Sequence, residues 1–377
     1  MYNLYYQARR QRRQSPLRGP GLDARKEHPV QHLTAASEDL QPRYAPRIGV
    51  VVPYFQRESG LLDRALSSVA GQEHSPVQVV VVDDGSPRPA TEEITPSLRR
   101  ALPRLTLIRQ VNSGIAAARN AALDALTEDV TAVALLDSDD YWERSHLRNA
   151  ASALSLGADF FFSNSRSEGE TGDHFHQPGR RQLLSNGQPV QGAPGLVRWR
   201  ESVHALMGAA CPFVTATVVF RRTVMPDIRF SVNFRRAGED QAAFWELLSR
   251  CSVIMYCTEP TLVYGSGGVG TWRKSTFGSA AHLVRLADEI YLRRHVLGSY
   301  PVSEGDRQLM RRAIAARRQM ALYSSLHLVR RRREGAFREI CYLLRADPAC
   351  AASWCVNFPR FVYRWVRRVP ITTEWSG

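Results

Sequence analysis

Short apolar runs alternate with helical segments along residues 47–140, and this alternation constrains the fold more than any other feature of the chain. The runs IGVVVPY, VQVVVVD, LTLIR and VTAVALL are rich in Val, Leu and Ile, as buried strands are. Between them, GLLDRALSSVAG and GIAAARNAALDAL carry apolar residues at helical spacing. The alternation predicts an α/β fold with a doubly wound, mostly parallel sheet that is covered by helices on both faces.

Acidic residues follow two of these predicted strands. Asp83 and Asp84 end the second strand, and Asp137, Asp139 and Asp140 follow the fourth. Ligands of doubly wound sheets bind at the carboxyl ends of the strands. We therefore expect both acidic clusters to lie at one crevice.

The Asp137-Ser-Asp139 segment is the candidate metal site. Just beyond a strand end, two carboxylates at this spacing can converge on one cation. Mg²⁺ and Mn²⁺ take oxygen ligands, commonly one or two carboxylates together with phosphate oxygens. We predict that Asp137 and Asp139 bind Mg²⁺ or Mn²⁺, and that Asp140 instead caps a helix starting near Trp142.

Two further segments favour a ligand but have local explanations. Asp83-Asp84-Gly85-Ser86 forms a turn by composition alone, although one Asp at the same sheet edge could accept hydrogen bonds from a base or ribose. In NSGIAAARN, Gly114 would open a helix and allow a phosphate or sugar to approach closely. Arg119 would neutralise a diphosphate or support the acidic loop; a loop glycine and a solvated arginine are the alternatives.

Gly238-Glu239-Asp240 opens the predicted helix QAAFWELL. Acidic residues are favoured at a helix start by the helix dipole alone. Two adjacent carboxylates facing the crevice would also suit a general base that removes a proton from an alcohol. A later G-x-G-x-x-G segment, Gly265–Gly270, lacks a following βαβ unit and is predicted to be a loop that could fold over a bound nucleotide.

The chain is basic, with 50 Lys and Arg against 36 Asp and Glu and a net charge of +14. This charge predicts attraction to an anionic partner, whether nucleic acid, acidic lipid or a phosphorylated substrate. RRRREGAFREICYLLR and FPRFVYRWVRRV place arginines beside aromatic residues, as segments lying on anionic lipid do. A solvated helix face explains the same pattern equally well.

Five segments, in order, resemble those of family 2 glycosyltransferases with the GT-A fold. They are VVVPYFQRE, VVVVDDGS, NSGIAAARNAAL, LLDSDD and GEDQAAFWELL, and they cover residues 48–250. PYFQRESGLLDRALSSVAGQ is further similar to glucosyltransferases that build bacterial exopolysaccharides of the succinoglycan type. Two departures are Gln56, where the family usually has Asn, and the lack of a histidine in TLVYGSGGVGTWR after the GED helix.

The resemblance implies roles for individual residues. Asp240 would be the catalytic base with Glu239 beside it, and Asp139 would bind the metal. Phe55 would stack on uracil, and Asp83 and Asp84 would contact uracil and ribose. The full set of predicted nucleotide-sugar-binding residues is Pro53, Phe55, Glu58, Asp83, Asp84, Asn112, Gly114, Arg119, Asp137 and Ser138.

The implied function is metal-dependent, inverting transfer of a sugar, glucose by expectation, from a UDP-sugar. The acceptor would be a hydroxyl of a lipid-diphosphate-linked or oligosaccharide molecule in bacterial exopolysaccharide or cell-surface glycan synthesis. A sugar nucleotidyltransferase is an alternative, but it needs a Gly-rich phosphate loop where PYFQRES stands. A non-catalytic binder of nucleic acid or an anionic surface leaves the acids at the strand ends unexplained, so we expect no nucleic acid partner.

The predicted organisation has three parts. Residues 1–46 are a flexible basic tail broken by prolines, residues 47–275 are the GT-A domain, and residues 276–377 are a basic helical region. The GT-A domain divides into a nucleotide-binding half, 47–140, and an acceptor half, 141–275. Without a long apolar run or an apolar leader, we expect the protein in the cytoplasm, either free or peripheral on the inner face of the cell membrane. The six cysteines, with no C-x-x-C pair, are expected to be reduced.

Overall fold

The computed structural model describes residues 45–366 except 103, 178–179, 182–183, 202, 208–210, 236, 266–275, 301 and 332–335. All described residues belong to one compact unit, Asp39–Gly377. The predicted basic tail, residues 1–46, therefore lies outside the described residues apart from Ala45 and Pro46. Most of the predicted loop at Gly265–Gly270 lies outside them too.

The described strands form one sheet. In chain order they are β1 (Ile48–Tyr54), β2 (Gln78–Asp83), β3 (Leu105–Arg109), β4 (Ala132–Leu135), β5 (Tyr141–Trp142), β6 (Phe160–Ser167), β7 (Gln188–Pro189), β8 (Leu196–Arg198), β9 (Val219–Arg221) and β10 (Ile254–Tyr264). The spatial order is β3-β2-β1-β4-β9-β6-β10-β8-β7, and β5 pairs with β10.

Helices follow most of these strands. In chain order they are α1 (Leu61–Ala70), α2 (Pro96–Ala101), α3 (Ile115–Asp124), α4 (His146–Ser155), α5 (Val203–Met207), α6 (Glu239–Arg250), α7 (Ala280–Ser299), α8 (Glu304–Arg330), α9 (Ala336–Ala346) and α10 (Ala349–Val366). The predicted GED helix is confirmed as α6, and the predicted helical C-terminal region is confirmed as α7–α10. Within the described residues, no helix is both long enough and apolar enough to cross a membrane.

The sheet is parallel in its N-terminal half and mixed beyond it. β1 pairs in parallel with both β2 and β4, and β2 pairs in parallel with β3. β9 then pairs antiparallel with both β4 and β6, while β6 and β10 are parallel. The chain leaves β1 in one direction to β2 and β3 and returns to its other side at β4, so the crevice of a doubly wound sheet opens beyond β1 and β4.

Residues of β1 alternate between two hydrophobic cores, one on each face of the sheet. Val51 belongs to the core that includes Ala118 of α3. Val50 and Val52 belong to the opposite core, with Leu66 of α1. This burial on both faces is why the strands are continuous apolar runs, and the predicted doubly wound α/β architecture is confirmed.

The C-terminal helices build a third core and also cover the sheet domain. Leu283, Leu286 and Ile290 of α7 pack against residues of α8 and α9. Farther along the same helix, Leu292 and Val296 join the core that contains α6. Because α7 belongs to both cores, it connects the helical region with the helix that carries Glu239 and Asp240. The predicted domain boundaries at residues 140 and 275 stay predictions.

Candidate active site

Three loops meet at the carboxyl ends of β1, β2 and β4. The backbone N–H of Gln56, after β1, donates to Ser86 Oγ at 2.8 Å, after β2. The Gln56 side-chain Nε2 donates to Ser138 Oγ at 3.1 Å, after β4. Gln56 is buried, and its Oε1 has no hydrogen-bond partner among the described residues. An unsatisfied buried acceptor at this place is available to a ligand.

Asp83 and Asp84 hold the edges of this crevice through backbone hydrogen bonds. Asp83 is 1% exposed, and its two oxygens accept the N–H groups of Ser86 at 2.8 Å and Ala90 at 3.0 Å. Asp84, also buried, accepts the N–H of Gly114 at 2.8 Å at the start of α3. The bond between Asp83 and Ser86 is the contact of the turn that the sequence also allowed. Contact of either carboxylate with uracil or ribose stays a prediction.

Arg119 links the acidic residues after β4 to those at the start of α6. The guanidinium is 2% exposed and lies over the ring of Phe230, 5.2 Å from its centroid. Its Nη2 donates to Asp137 Oδ1 at 2.8 Å, and its Nη1 donates to Glu239 Oε1 at 3.0 Å. The strand-end acids and the acids of α6 are therefore separated by the width of one guanidinium. Arg119 supports the acidic loop, and the alternative of a solvated arginine is wrong.

Glu239 and Asp240 start α6 at a left-handed glycine. Gly238 has φ of 103°, a conformation that favours glycine. Burial, with the Asp240 carboxylate beside it, raises the pKa of Glu239 to about 7. Asp240 is partly exposed, and its Oδ2 accepts a hydrogen bond from Thr215 Oγ1 at 2.8 Å. Asp240 is thus the more accessible carboxylate of the pair, and Thr215 orients it.

Asp140 does not cap a helix, so that prediction is wrong. Trp142 forms part of β5 and pairs with Leu262 of β10, and α4 begins only at His146. The buried Asp140 carboxylate instead accepts the N–H of Gly265 at 3.1 Å. Burial raises its pKa well above the ordinary range, and the nearby Asp139 and Asp137 carboxylates raise it further.

The remaining predicted residues surround the crevice. Pro53 is buried in β1, Phe55 is half-buried, and Glu58 is exposed. Asn112 and Gly114 are exposed at the start of α3, where Gly114 has φ of 91° and open space around it. No side chain blocks the approach to Gly114. Contact of these residues with a nucleotide stays a prediction.

The carboxylates of Asp137 and Asp139 fit a divalent metal ion whose coordination shell is completed by oxygen atoms from outside the protein. Asp137 is 29% exposed and Asp139 is half-buried, and both carry the hard oxygen ligands of Mg²⁺ and Mn²⁺. The described residues contain no group of three or more acidic, His or Cys side chains able to hold a metal alone. Phosphate oxygens and water would therefore complete the coordination shell, as is usual for Mg²⁺.

Comparison with known proteins decides the family. The model of glycosyl transferase family 2 matches residues 49–213. The succinoglycan biosynthesis protein ExoW of Rhizobium meliloti is 31% identical over 225 residues, which are 59% of this chain and 69% of that protein. The chain belongs to glycosyl transferase family 2. An uncharacterized glycosyltransferase, alr2836 of Nostoc, is 40% identical over 102 residues, 27% of this chain and 31% of that protein.

Two solved structures share the fold. Residues 1–349 of S. aureus TarS, in complex with UDP, give a TM-score of 0.53 at 16% identity, covering 86% of this chain and 93% of that one. The mannosyltransferase PcManGT from Pyrobaculum calidifontis, in complex with GDP-Man and Mn²⁺, gives a TM-score of 0.50 at 17% identity, covering 96% and 90%. The predicted GT-A fold is confirmed, and the chain is a glycosyltransferase; the alternatives of a nucleotidyltransferase and a non-catalytic binder fall away.

Sequence analysis did not assign three further residues to the site, namely Thr215, Arg64 and Gly265. Thr215 contacts Asp240. Arg64 of α1 donates to the backbone carbonyl of Asp139 at 3.0 Å and pairs with Glu168 at 3.0 Å. Gly265 lies directly against Asp139; the sequence marks this glycine only as the start of a glycine-rich segment. All six cysteines are free in the structure.

Proposed function

We propose that this family 2 glycosyltransferase transfers a sugar from a UDP-sugar to an acceptor hydroxyl with inversion at the anomeric carbon. The observation that carries the proposal is the Arg119 bridge between Asp137 and Glu239. It holds the strand-end acids and the acids of α6 on one crevice, where a donor and an acceptor could meet.

The donor would bind along the ends of β1, β2 and β4. Phe55 would stack on the base, and the open N-terminus of α3 at Gly114 would leave room for the ribose or the diphosphate. Gln56 Oε1, buried and without a partner, would accept a hydrogen bond from the nucleotide. Asp83 and Asp84 would act here chiefly by fixing the loops that shape this pocket.

Asp139, with Asp137, would hold Mg²⁺ or Mn²⁺. When bound, the ion would supply positive charge next to the diphosphate leaving group. The mannosyltransferase with GDP-Man and Mn²⁺ supports this assignment by its shared fold. Arg119 keeps Asp137 in place and partly neutralises it, so that the carboxylates are preorganised before the ligand arrives.

Asp240 would act as the general base. An alcohol has a pKa far above 7, so its proton must leave as its oxygen attacks the anomeric carbon. In this step the acceptor O–H proton passes to Asp240, and the acceptor oxygen forms a bond to the anomeric carbon. The bond between the anomeric carbon and the diphosphate oxygen breaks, and UDP leaves with the electron pair. One displacement from the face opposite to UDP inverts the configuration. Thr215 would hold the carboxylate in the orientation that receives the proton.

We propose a glucosyl donor and an acceptor that is a lipid-linked diphosphate or an oligosaccharide, in exopolysaccharide or cell-surface glycan synthesis. The similarity to the succinoglycan biosynthesis protein supports this class of product. An acceptor carried by a membrane lipid would place the enzyme at the inner face of the membrane. The basic C-terminal helices would then contact anionic lipid.

The test is a screen of UDP-glucose, UDP-galactose, UDP-N-acetylglucosamine and GDP-mannose by thermal stabilisation and by hydrolysis, with Mn²⁺ and with EDTA. We expect stabilisation by UDP-sugars, since a ligand that binds only the folded state raises its stability. Asp240→Asn should lower kcat by about 10²- to 10⁴-fold and still bind UDP. Asp124→Asn, at an exposed pair with Arg229, is the control and should retain kcat. Full turnover by Asp240→Asn, or an axial product from UDP-α-glucose, would contradict the mechanism.

A further inference from the structure

A short loop before α6 rests on a buried carboxylate of the C-terminal helices. Asp288 of α7 is fully buried. Its Oδ2 accepts the backbone N–H groups of Arg235 and Ala237, each at 3.2 Å. Its Oδ1 accepts the phenolic O–H of Tyr342, on α9. A charged acceptor that binds two backbone N–H groups fixes the course of the chain more firmly than a neutral one.

A second contact holds the same loop. The Arg235 guanidinium donates to Glu339 Oε2 at 2.7 Å and lies over the Tyr342 ring, 4.9 Å from its centroid. Glu339 is almost completely buried. The backbone of Arg235 thus binds α7, and its side chain binds α9.

One face of α7 is packed against the loop along several residues. Tyr291 and Leu292, three and four positions after Asp288, lie on the same face of the helix. The Phe234 ring meets the Tyr291 ring edge to face at 5.2 Å. A Cβ at Gly238 would lie 3.0 Å from the Phe234 ring and 3.6 Å from Leu292. The turn immediately before Glu239 therefore has little freedom to shift relative to α7.

We infer that Asp288 is a positioning residue for catalysis, which sets the location of Asp240 through the backbone of Arg235, Ala237 and Gly238. This inference rests on the proposed role of Asp240 as the base. It makes the C-terminal helical region part of the catalytic apparatus, in addition to any contact that it makes with a membrane. A small displacement of a catalytic group costs rate because transfer requires close alignment of the base, the hydroxyl and the anomeric carbon.

The test uses the full-length chain with Asp288→Asn and Tyr342→Phe. Asp288→Asn removes the charge and one acceptor oxygen at nearly constant volume, and Tyr342→Phe removes only the hydroxyl that orients the carboxylate. Asp347→Asn is the matched control. Asp347 is also fully buried in the C-terminal region, and it pairs with Arg294 and Arg318 of α7 and α8, far along the chain from the loop before α6.

Two measurements separate positioning from loss of folded protein. Calorimetric titration with UDP and Mn²⁺ gives both the affinity and the fraction of molecules able to bind. The hydrolysis rate of the best UDP-sugar is then divided by that fraction. For Asp288→Asn we expect an unchanged UDP affinity, an unchanged KM and a kcat about 10- to 100-fold lower, with a smaller fall for Tyr342→Phe. Asp347→Asn should keep kcat per binding-competent molecule.

The outcomes separate this inference from the proposed function. If Asp240→Asn is inactive while Asp288→Asn keeps the parent kcat, or falls no further than Asp347→Asn, the positioning role of Asp288 is wrong and the proposed function stands. If Asp240→Asn keeps its activity, the assigned base is wrong, and the inference falls with it.

Discussion

At the scale of single residues, Arg119 decides how the site is built. A buried guanidinium is costly to desolvate unless charged partners compensate for it. Here the guanidinium donates hydrogen bonds to both Asp137 and Glu239. The same contacts keep the carboxylates of Asp137 and Glu239 on either side of one guanidinium. The sequence placed Arg119 near the acids, but it left open whether the side chain faced solvent, the diphosphate or the acidic loop.

The raised pKa of Glu239 predicts a pH-dependent stability. Burial and the Asp240 carboxylate raise this pKa from 4.5 to about 7. Between these values the folded state holds a proton that the unfolded state has lost, so the free energy of unfolding falls as pH rises through this window. Glu239→Gln should remove that fall. Between pH 5 and pH 8, its free energy of unfolding should therefore rise relative to that of the parent by up to about 3 kcal/mol.

Urea denaturation at several pH values measures this effect. Glu246→Gln, on the same helix but exposed and paired with Arg250, is the control and should keep the pH slope of the parent. A Glu239→Gln protein with an unchanged slope would show that Glu239 is ionised across the whole range.

The acidic residues show what sequence reasoning could and could not reach. The clusters and their common crevice follow from strand ends in a doubly wound sheet. Which carboxylates face a ligand does not, because Asp83 and Asp84 also accept hydrogen bonds from N–H groups that lie up to 30 residues away along the chain. Asp140 was assigned to a helix cap for the same reason, since its partner Gly265 is 125 residues distant.

At the scale of secondary-structure elements, local patterns predicted most of what is present. The β-branched runs are β1, β2, β3 and β4, and the GED segment starts α6 as expected. Trp142 is the exception. Its pairing with Leu262 in a two-residue strand delays the start of α4 to His146. A strand so short exists only because β10 is beside it, and no local pattern encodes that partner.

Gly265, directly after β10, lies against the Asp137–Asp140 loop. We therefore expect Gly265→Ala to affect both stability and UDP binding. A Cβ at Gly265 would lie 1.9 Å from the backbone oxygen of Asp139 and 2.4 Å from Arg64 Nη2. The Asp137–Asp140 loop must move to admit it. We expect a loss of about 1 to 3 kcal/mol in stability and weaker binding of UDP with Mn²⁺.

Gly298→Ala is the control for this prediction. A Cβ at Gly298, in α7, meets no atom within 4 Å, and alanine is favoured over glycine in a helix by up to about 1 kcal/mol. Thermal denaturation and UDP titration of both variants measure the difference. Parent-like UDP affinity for Gly265→Ala would show that the acidic loop tolerates displacement.

At the scale of the whole molecule, the C-terminal helices pack against the sheet domain next to the proposed catalytic base. The sheet supplies the strand ends, and α7 and α9 hold the loop that leads to Asp240. Apolar side chains are exposed on the helical region at Val329, Phe337 and Phe358, and arginines adjoin them in the sequence. This combination suits a surface that rests on anionic lipid.

Membrane contact through this surface predicts a clear effect of Phe337→Glu. Phe337 is 81% exposed, so the change should leave the fold intact. Inserting a phenyl ring into lipid contributes about 1.5 to 3 kcal/mol, and its replacement by an acid should lower binding to phosphatidylglycerol vesicles about tenfold or more. Val111→Glu, at an 83% exposed residue following β3, should bind vesicles like the parent. Equal co-sedimentation of the two variants would remove the membrane assignment.

We propose that the acids after β4 and the loops after β1 and β2 bind the diphosphate of an activated sugar together with a divalent cation. Its most direct test is calorimetric titration of UDP into the parent and Asp139→Asn, each with Mn²⁺ and with EDTA. We expect that Mn²⁺ strengthens UDP binding by the parent and leaves binding by Asp139→Asn unchanged. If Asp139→Asn binds UDP with Mn²⁺ as tightly as the parent does, the assignment of this site is wrong.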